Sequence, residues 1–208
     1  YQLNGIPLLH SKGISGNGII IGILDSGFDW KNHNSLKNRD VIAEWDFIQN
    51  DNNTSDSEGD VPGQHNHGTY VFSILAGYEE GNIVGPAYNA RFLLAKTEDI
   101  GSERNIEEDN YAAAIEWMEA NGADITTSSL SYSLFDQGEL SYSYKDMNGY
   151  TSIASRACDM AFHRGVLCIT STGNDGSNSW YHISVPADAF NIISVGGVDE
   201  NNVIWGSS

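Results

Sequence analysis

An apolar run of strand length, from Gly18 to Leu24, stops abruptly at the polar turn Asp25-Ser26-Gly27. A continuous apolar run is typical of a parallel strand that is buried on both faces. Further runs of this kind recur along the chain, separated by segments with helical spacing of apolar residues. Because strands that alternate with helices need crossover connections, the sequence predicts an α/β fold with three αβα layers and a mainly parallel central sheet.

The predicted elements cover most of the chain. Helices are expected near residues 71–76, 109–120 and 152–164, and further strands at 90–96, 123–130, 166–170 and 191–195. Residues 50–60 are rich in Asp, Asn and Ser and have no apolar side chain, so they are predicted to form an exposed loop. No internal repeat or linker interrupts this pattern, and residues 1–208 are expected to form one domain or most of one.

Charge and hydrophobicity limit the classes of partner. The chain of 208 residues has a formal net charge of -18 and only 10 Lys and Arg residues. Nucleic acid is not expected as a partner, because phosphate binding relies on clustered basic side chains. The longest apolar runs, at residues 19–24 and 166–169, are far shorter than the roughly 20 residues of a membrane helix. Membrane insertion is therefore not expected either.

Two polar residues stand where elements of the predicted fold begin or end. Asp25 follows a buried strand, and the carboxyl ends of parallel strands face the ligand crevice in open α/β sheets. His67 precedes Gly68-Thr69 and a helix, and a rigidly held imidazole with a pKa near neutrality suits a general base. Each residue also has a simpler interpretation, Asp25 as a turn or helix-capping residue and His67 as a surface histidine.

A third polar residue, Asn174, follows another apolar strand within Gly173-Asn174-Asp175-Gly176. Its amide could donate a hydrogen bond to a negatively charged oxygen, and the flanking glycines allow a tight bend close to a substrate. Alone, the segment is equally consistent with an ordinary turn between strands. The combination and order of the three residues are more informative than any one of them.

Together these segments resemble the subtilisin-like serine peptidases, the subtilase family. The resemblance extends over nearly the whole chain and includes Leu8 to Gly16, residues 28–36 and residues 165–176. It implies that Asp25 orients His67, that His67 is the general base, and that the Asn174 side chain donates to the oxyanion of the reaction.

The segment Ser129-Leu130-Ser131 is similar to the part of this family that pairs its main chain with an extended substrate. In the family it also forms a wall of the first specificity pocket. Two positions depart from the usual pattern, because Ser131 stands where glycine is usual and Tyr70 where histidine is commoner. The resemblance thus implies an extended peptide or protein substrate. Ser131 in place of glycine is expected to narrow or shift the entrance of the first specificity pocket relative to other family members.

The family's nucleophile has no counterpart in this sequence. Subtilases supply the serine from a Gly-Thr-Ser helix start, and no Gly-Thr-Ser occurs among these residues. Residues 195–208 resemble the stretch that precedes this helix. We therefore expect residues 1–208 to be a partial catalytic domain that lacks its C-terminal part, with the remainder of the parent domain as a partner and the fragment alone inactive.

No cofactor is expected for the chemistry, and no metal site is assigned. The resemblance admits a structural calcium ion, for which the loop carboxylates of Asp51, Asp56, Glu58 and Asp60 are candidates. Their spacing matches no dedicated calcium loop, so a solvated acidic loop is the favoured interpretation.

The activity implied by the resemblance is that of a serine endopeptidase. A catalytically inactive module that binds peptides in the same cleft is the alternative, and the presence of Gly-Thr-Ser in the parent sequence would discriminate between them. A nucleotide-binding domain is disfavoured, since no Gly-x-Gly-x-x-Gly follows the first strand. The low cysteine count of two and the usual habit of the family lead us to expect a secreted or cell-envelope protein of bacterial type.

Overall fold

The computed structural model describes residues 3–208. Most of its strands belong to one sheet: β1 (Ile20–Asp25), β2 (Asp40–Asp46), β5 (Arg91–Lys96), β6 (Ile125–Ser128), β7 (Leu167–Ser171) and β8 (Ile193–Val195). These six strands are all parallel and lie in the order β2-β5-β1-β6-β7-β8. A separate antiparallel hairpin is formed by β3 (Tyr78–Glu79) and β4 (Ile83–Val84).

Helices cover both faces of the sheet. They are α1 (Ile6–Ser11), α2 (Asn66–Ala76), α3 (Ile106–Ala120) and α4 (Ile153–His163), with a short 3-10 turn at Tyr144–Asp146. Side chains of α3 and α4 pack together in one apolar cluster, and side chains of α2 belong to a second cluster. This arrangement confirms the predicted three-layer αβα fold. No helix within residues 3–208 is long and apolar enough to span a membrane.

Burial on both faces explains why the central strand β1 has no polar residue before Asp25. Leu24 packs in the cluster under α3 and α4, whereas Ile21 and Ile23 pack in the cluster under α2. Gly22 lies directly against Met118 of α3, so closely that a side chain there would overlap the methionine sulfur. The strand therefore buries both of its faces, as a continuous apolar run predicts.

The structure differs from the predicted elements in a few places. Strand β2 was not predicted, because its charged residues hide the pattern; it lies at the sheet edge beside β5. Helix α2 begins at Asn66 rather than at residue 71, so His67 lies inside its first turn instead of before it. Residues 50–60 contain no helix or strand, as predicted, although Thr54 within them is fully buried.

A buried lysine joins the acidic loop to the sheet. Lys96, the last residue of β5, is fully buried, and its Nζ lies 2.8 Å from Asp46 Oδ2 and 2.7 Å from Asp60 Oδ2. Burial opposes the charged form, but the hydrogen bonds to Asp46 and Asp60 outweigh it, and the pKa of Lys96 is raised. A charge can remain in the interior only when partners of this kind compensate it.

We expect Lys96→Met to lower the free energy of unfolding by about 3 to 5 kcal/mol, because it leaves buried carboxylates without a countercharge. Arg91→Met is the matched control on the same strand, since the Arg91–Asp40 pair is half exposed. Its loss should stay below about 1 kcal/mol. Denaturant titration of both variants measures the difference, and equal losses would contradict a stabilising role for the buried lysine.

Candidate active site

A buried carboxylate and a histidine meet at the carboxyl end of the central strand. Asp25, the last residue of β1, is 0% exposed, and Nδ1 of His67 on α2 lies 2.7 Å from its Oδ1. The His67 side chain is 54% exposed. The carboxylate therefore holds one nitrogen of the ring, while much of the imidazole stays accessible from the solvent side.

Glycine residues allow α2 and β1 to approach this closely. A side chain at Gly68 would overlap the carbonyl oxygen of Gly27 and come within 2.9 Å of the Asp25 Cβ. Gly27 itself has φ +130°, a conformation that residues with a side chain rarely adopt. A Cβ at this position would also lie only 2.7 Å from the carbonyl oxygen of Thr54. The glycines of the two motifs are thus steric requirements for the contact between Asp25 and His67.

The local hydrogen bonds fix the carboxylate and change the basicity of the imidazole. Ser26 donates to Asp25 Oδ1 from its main-chain nitrogen at 2.7 Å and from its hydroxyl at 3.2 Å. The hydrogen bond to Asp25 raises the pKa of His67 above its ordinary value, and burial only partly opposes it. A carboxylate that stabilises the imidazolium in this way makes the histidine a stronger base.

Gln64 joins two segments beside this pair, and the sequence pattern did not identify it. The glutamine is buried, and its Nε2 donates to the carbonyl oxygens of Ser26, at 2.7 Å, and Glu98. Its Oε1 accepts from the main-chain nitrogen of Ile100 at 3.0 Å. One side chain just before α2 thereby connects the segments that follow β1 and β5.

The pair opens into a cleft of about 270 Å³. Ser129, Leu130 and Ser131 line this cleft together with Asp25 and His67, so the structure brings these predicted residues together. The remaining lining residues were not predicted: Ser26, Glu98, Asp99, Ile100, Glu103 and Glu107. Glu98 follows the carboxyl end of β5, so the rule that selected Asp25 at the end of β1 could also have selected Glu98.

Ser129-Leu130-Ser131 follows β6 directly and has no partner strand within residues 3–208. Within residues 3–208, its main chain forms no hydrogen bond with another main-chain group, and Leu130 O accepts only from the Ser171 hydroxyl, at 3.2 Å. Main-chain donors and acceptors along the cleft are therefore available to an added strand.

Asn174 lies in the exposed loop after β7 and does not line the cleft of Asp25 and His67. Its side chain forms no hydrogen bond with any other residue in the described range 3–208. The preceding Gly173 is close to the predicted substrate segment, because a Cβ there would lie 3.5 Å from Ser131 Oγ. The structure thus places Asn174 beside the cleft but without contact to the pair.

Three of the four candidate carboxylates of the acidic loop, those of Asp51, Asp56 and Asp60, accept hydrogen bonds from the protein, whereas that of Glu58 forms none within residues 3–208. Asp60 pairs with Lys96, and Asp56 Oδ1 lies 2.7 Å from His65 Nδ1 and also accepts from the His65 main chain at 2.8 Å. Within residues 3–208, no group of three His, Cys, Asp or Glu side chains is arranged to hold a metal ion. The structural calcium ion considered from the resemblance stays untested.

Residues 16–208 match the family model described as Subtilase family. The chain belongs to the subtilase family. The Minor extracellular protease Vpr of Bacillus subtilis (strain 168) is 31% identical over 201 residues, covering 94% of this chain and 23% of the relative. Subtilisin Savinase of Lederbergia lenta is 28% identical over 197 residues, covering 94% of this chain and 61% of the relative.

Solved structures agree with this membership. The Prenylagaramide maturation protease PagA superposes with a TM-score of 0.70 at 25% identity, covering 98% of this chain and 62% of that structure. This chain therefore spans less than two thirds of the length of the subtilase relatives described here. The subtilisin-like fold predicted from the motifs is confirmed over the described residues.

We expect Asp25→Asn to lower the pKa of His67, because the amide removes the charge that stabilises the imidazolium. NMR titration of the His67 ring in both proteins measures the change. The exposed Asp40→Asn serves as the control for loss of one negative charge and should leave the His67 pKa in place. An unchanged His67 pKa in Asp25→Asn would show that the 2.7 Å contact does not control this histidine.

We expect Gln64→Glu to lower the free energy of unfolding by about 1 to 3 kcal/mol, since it replaces a donor that faces two carbonyl oxygens with a buried acceptor. The exposed Gln137→Glu, which makes the same chemical change, should have little effect. Chemical denaturation of the two variants tests this, and equal stability would argue that Gln64 does not join the two segments.

Proposed function

We propose that this chain provides the aspartate and histidine of a serine endopeptidase with an Asp/His/Ser triad, whose serine lies beyond residue 208 of the parent protein. The observation that carries the proposal is the 2.7 Å contact between His67 Nδ1 and the buried Asp25, at the mouth of a cleft. Family membership supports the same conclusion.

The proposed roles follow from this geometry. His67 takes the proton from the serine hydroxyl as the oxygen attacks the peptide carbonyl, and then donates it to the leaving amine. Asp25 holds the ring through Nδ1 and stabilises the imidazolium, which leaves Nε2 for the serine. A water molecule then releases the acyl group by the same exchange of protons.

Substrate binding is proposed to use the main chain of Ser129-Leu130-Ser131, which can pair with an extended peptide. Asn174 is proposed to donate its amide to the oxyanion, supported by its loop's position beside Ser131. The proposed chemistry uses no cofactor, because the base, the carboxylate and the serine are sufficient for acyl transfer.

The proposed setting is outside the cell or in its envelope. The relative from Bacillus subtilis is named an extracellular protease, which supports secretion of the protein that contains this chain. A peptide or protein substrate and the rest of the catalytic domain are its proposed partners.

A second candidate function is a peptide-binding module without catalysis. Such a module would use the same cleft and the same main-chain segment, and residues 1–208 without a Gly-Thr-Ser are compatible with either function. The parent sequence beyond Ser208 discriminates between the two, because only the peptidase requires a Gly-Thr-Ser helix start there.

In the full-length protein, we expect His67→Ala to lower kcat on a peptide substrate by at least ~10²-fold, because the serine then lacks its general base. Asn174→Ala should lower kcat with a smaller effect on KM, since the oxyanion carries its full charge only in the transition state. The 208-residue chain alone should give no burst and no turnover on peptide esters.

Steady-state kinetics measures these effects, with the exposed His163→Ala as the control for loss of a histidine. Full activity in His67→Ala, or robust hydrolysis by the isolated chain, would overturn the assignment of the triad.

A further inference from the structure

The cleft beside Asp25 and His67 is strongly acidic on one side. Four carboxylates line it, those of Glu98, Asp99, Glu103 and Glu107, and no Lys or Arg among the described residues does so. Ile100 and Leu130 supply apolar surface in the same cleft. Acidic and apolar surface together are what a lysine or arginine side chain requires, because it buries its alkyl stem and pairs its charged end.

The four carboxylates of Glu98, Asp99, Glu103 and Glu107 form an acidic wall of the cleft. Within this wall, Glu98 has an unusual hydrogen-bond environment. Its side chain is half-buried, and both of its hydrogen bonds reach the same oxygen, Oε1, from the Tyr132 hydroxyl at 2.6 Å and the Thr97 hydroxyl at 2.8 Å. Within residues 3–208, no donor reaches Oε2. A half-buried carboxylate that lines a cleft with one oxygen unpartnered can accept a hydrogen bond from a donor outside the chain.

The other carboxylates do not obtain a countercharge from the protein. Glu107 accepts hydrogen bonds from the main-chain nitrogens of Asp99, at 3.1 Å, and Arg104, at 3.0 Å. The carboxylate of the exposed Glu103 forms no hydrogen bond to the described residues. None of the four carboxylates forms an ion pair with a Lys, Arg or His side chain within that range, so the protein supplies no countercharge to those of them that are ionised.

We propose that this wall binds a positively charged side chain of the substrate, a lysine or an arginine close to the cleaved bond, with Glu98 Oε2 as its principal acceptor. The proposal rests on the peptidase function proposed above for its substrate, but peptide binding can be tested without turnover. A bidentate arginine or a lysine would supply the donor that Oε2 lacks.

A divalent metal ion fits the wall less well. Both oxygens of Glu107 already accept main-chain hydrogen bonds, and the described residues hold no group of three side chains arranged for a metal. Hard cations need several convergent oxygens at short distance, whereas an ammonium or guanidinium group needs one or two acceptors and an apolar channel. The geometry thus favours an organic cation.

The test uses pairs of extended peptides that carry arginine or its neutral isostere citrulline, placed in turn at each position within four residues of the cleaved bond. Cleavage is measured with the full-length protein, and binding with the same protein and uncleavable versions of the peptides. At one position we expect arginine to exceed citrulline by at least ~10-fold in kcat/KM and in affinity.

Variants of the acidic wall test whether its carboxylates cause the preference for arginine over citrulline. Glu98→Gln should bring the arginine-to-citrulline ratio close to one. Glu103→Gln should reduce it with little effect on folding, since that exposed carboxylate forms no hydrogen bond to the described residues. Glu116→Gln removes the same charge from the exposed side of α3 and should keep the ratio. Denaturation curves of all three confirm that the compared proteins are folded.

The pH dependence supplies a readout that a structural role would not give. Burial raises the pKa of Glu98 to about 8, with Glu107 and Glu103 adding repulsion and the Tyr132 and Thr97 hydroxyls opposing the shift. Glu98 is therefore mostly neutral below pH 8 and charged above it. The preference for arginine should grow as the pH rises through this range, and Glu98→Gln should remove the part of the rise near pH 8. Burial raises the pKa of Glu107 to about 7, so a rise at lower pH should remain in that variant.

Each outcome separates this proposal from the proposed function. Cleavage without any preference at any position leaves the peptidase function intact and overturns the cationic pocket. A preference in binding without any cleavage supports the pocket and overturns the peptidase function. Retention of the full preference in both Glu98→Gln and Glu103→Gln overturns the pocket, as does binding of calcium that depends on Glu98 and abolishes the preference.

Discussion

The site depends on one constraint, that the carboxyl ends of adjacent parallel strands meet at the same edge of the sheet. Strands β5, β1 and β6 are neighbours in the sheet. The residues that end or follow them are Glu98, Asp25 and Ser129, and all three line one cleft. The order of the strands thus places the acidic wall, the buried carboxylate and the unpaired main-chain segment side by side. Helix α2 adds His67 to the same cleft.

This constraint explains how much of the site could be predicted from the sequence. Asp25 could be identified because the apolar run before it marks the end of a buried strand, and His67 because it opens a helix. Glu98 was overlooked although it follows a strand in the same way, since no family motif drew attention to it. Gln64 could not be found, because its importance depends on two carbonyl oxygens that only the folded chain brings together.

The prediction of the strands was correct where a strand is buried on both faces of the sheet. It missed the edge strand β2, which is not. Buried strands such as β1 and β5 pack on both faces and therefore have continuous apolar sequences. The edge strand β2 is half exposed and carries Asp40 and Glu44, so its pattern resembles a loop. Its partner for pairing, β5, cannot be inferred from local composition, because the two are connected through α2 and the β3–β4 hairpin.

The end of β5 shows how differently one chain treats buried charge. The positive charge of Lys96 is balanced by ion pairs with Asp46 and Asp60, so it needs no partner from outside the chain. Two residues later, Glu98 has no countercharge, and its burial is tolerated because a raised pKa keeps the carboxyl neutral near pH 7. A cationic side chain that pairs with Glu98 would replace that proton. The net charge near His67 would then stay nearly constant on binding, so the basicity that Asp25 gives to His67 would be preserved in the complex.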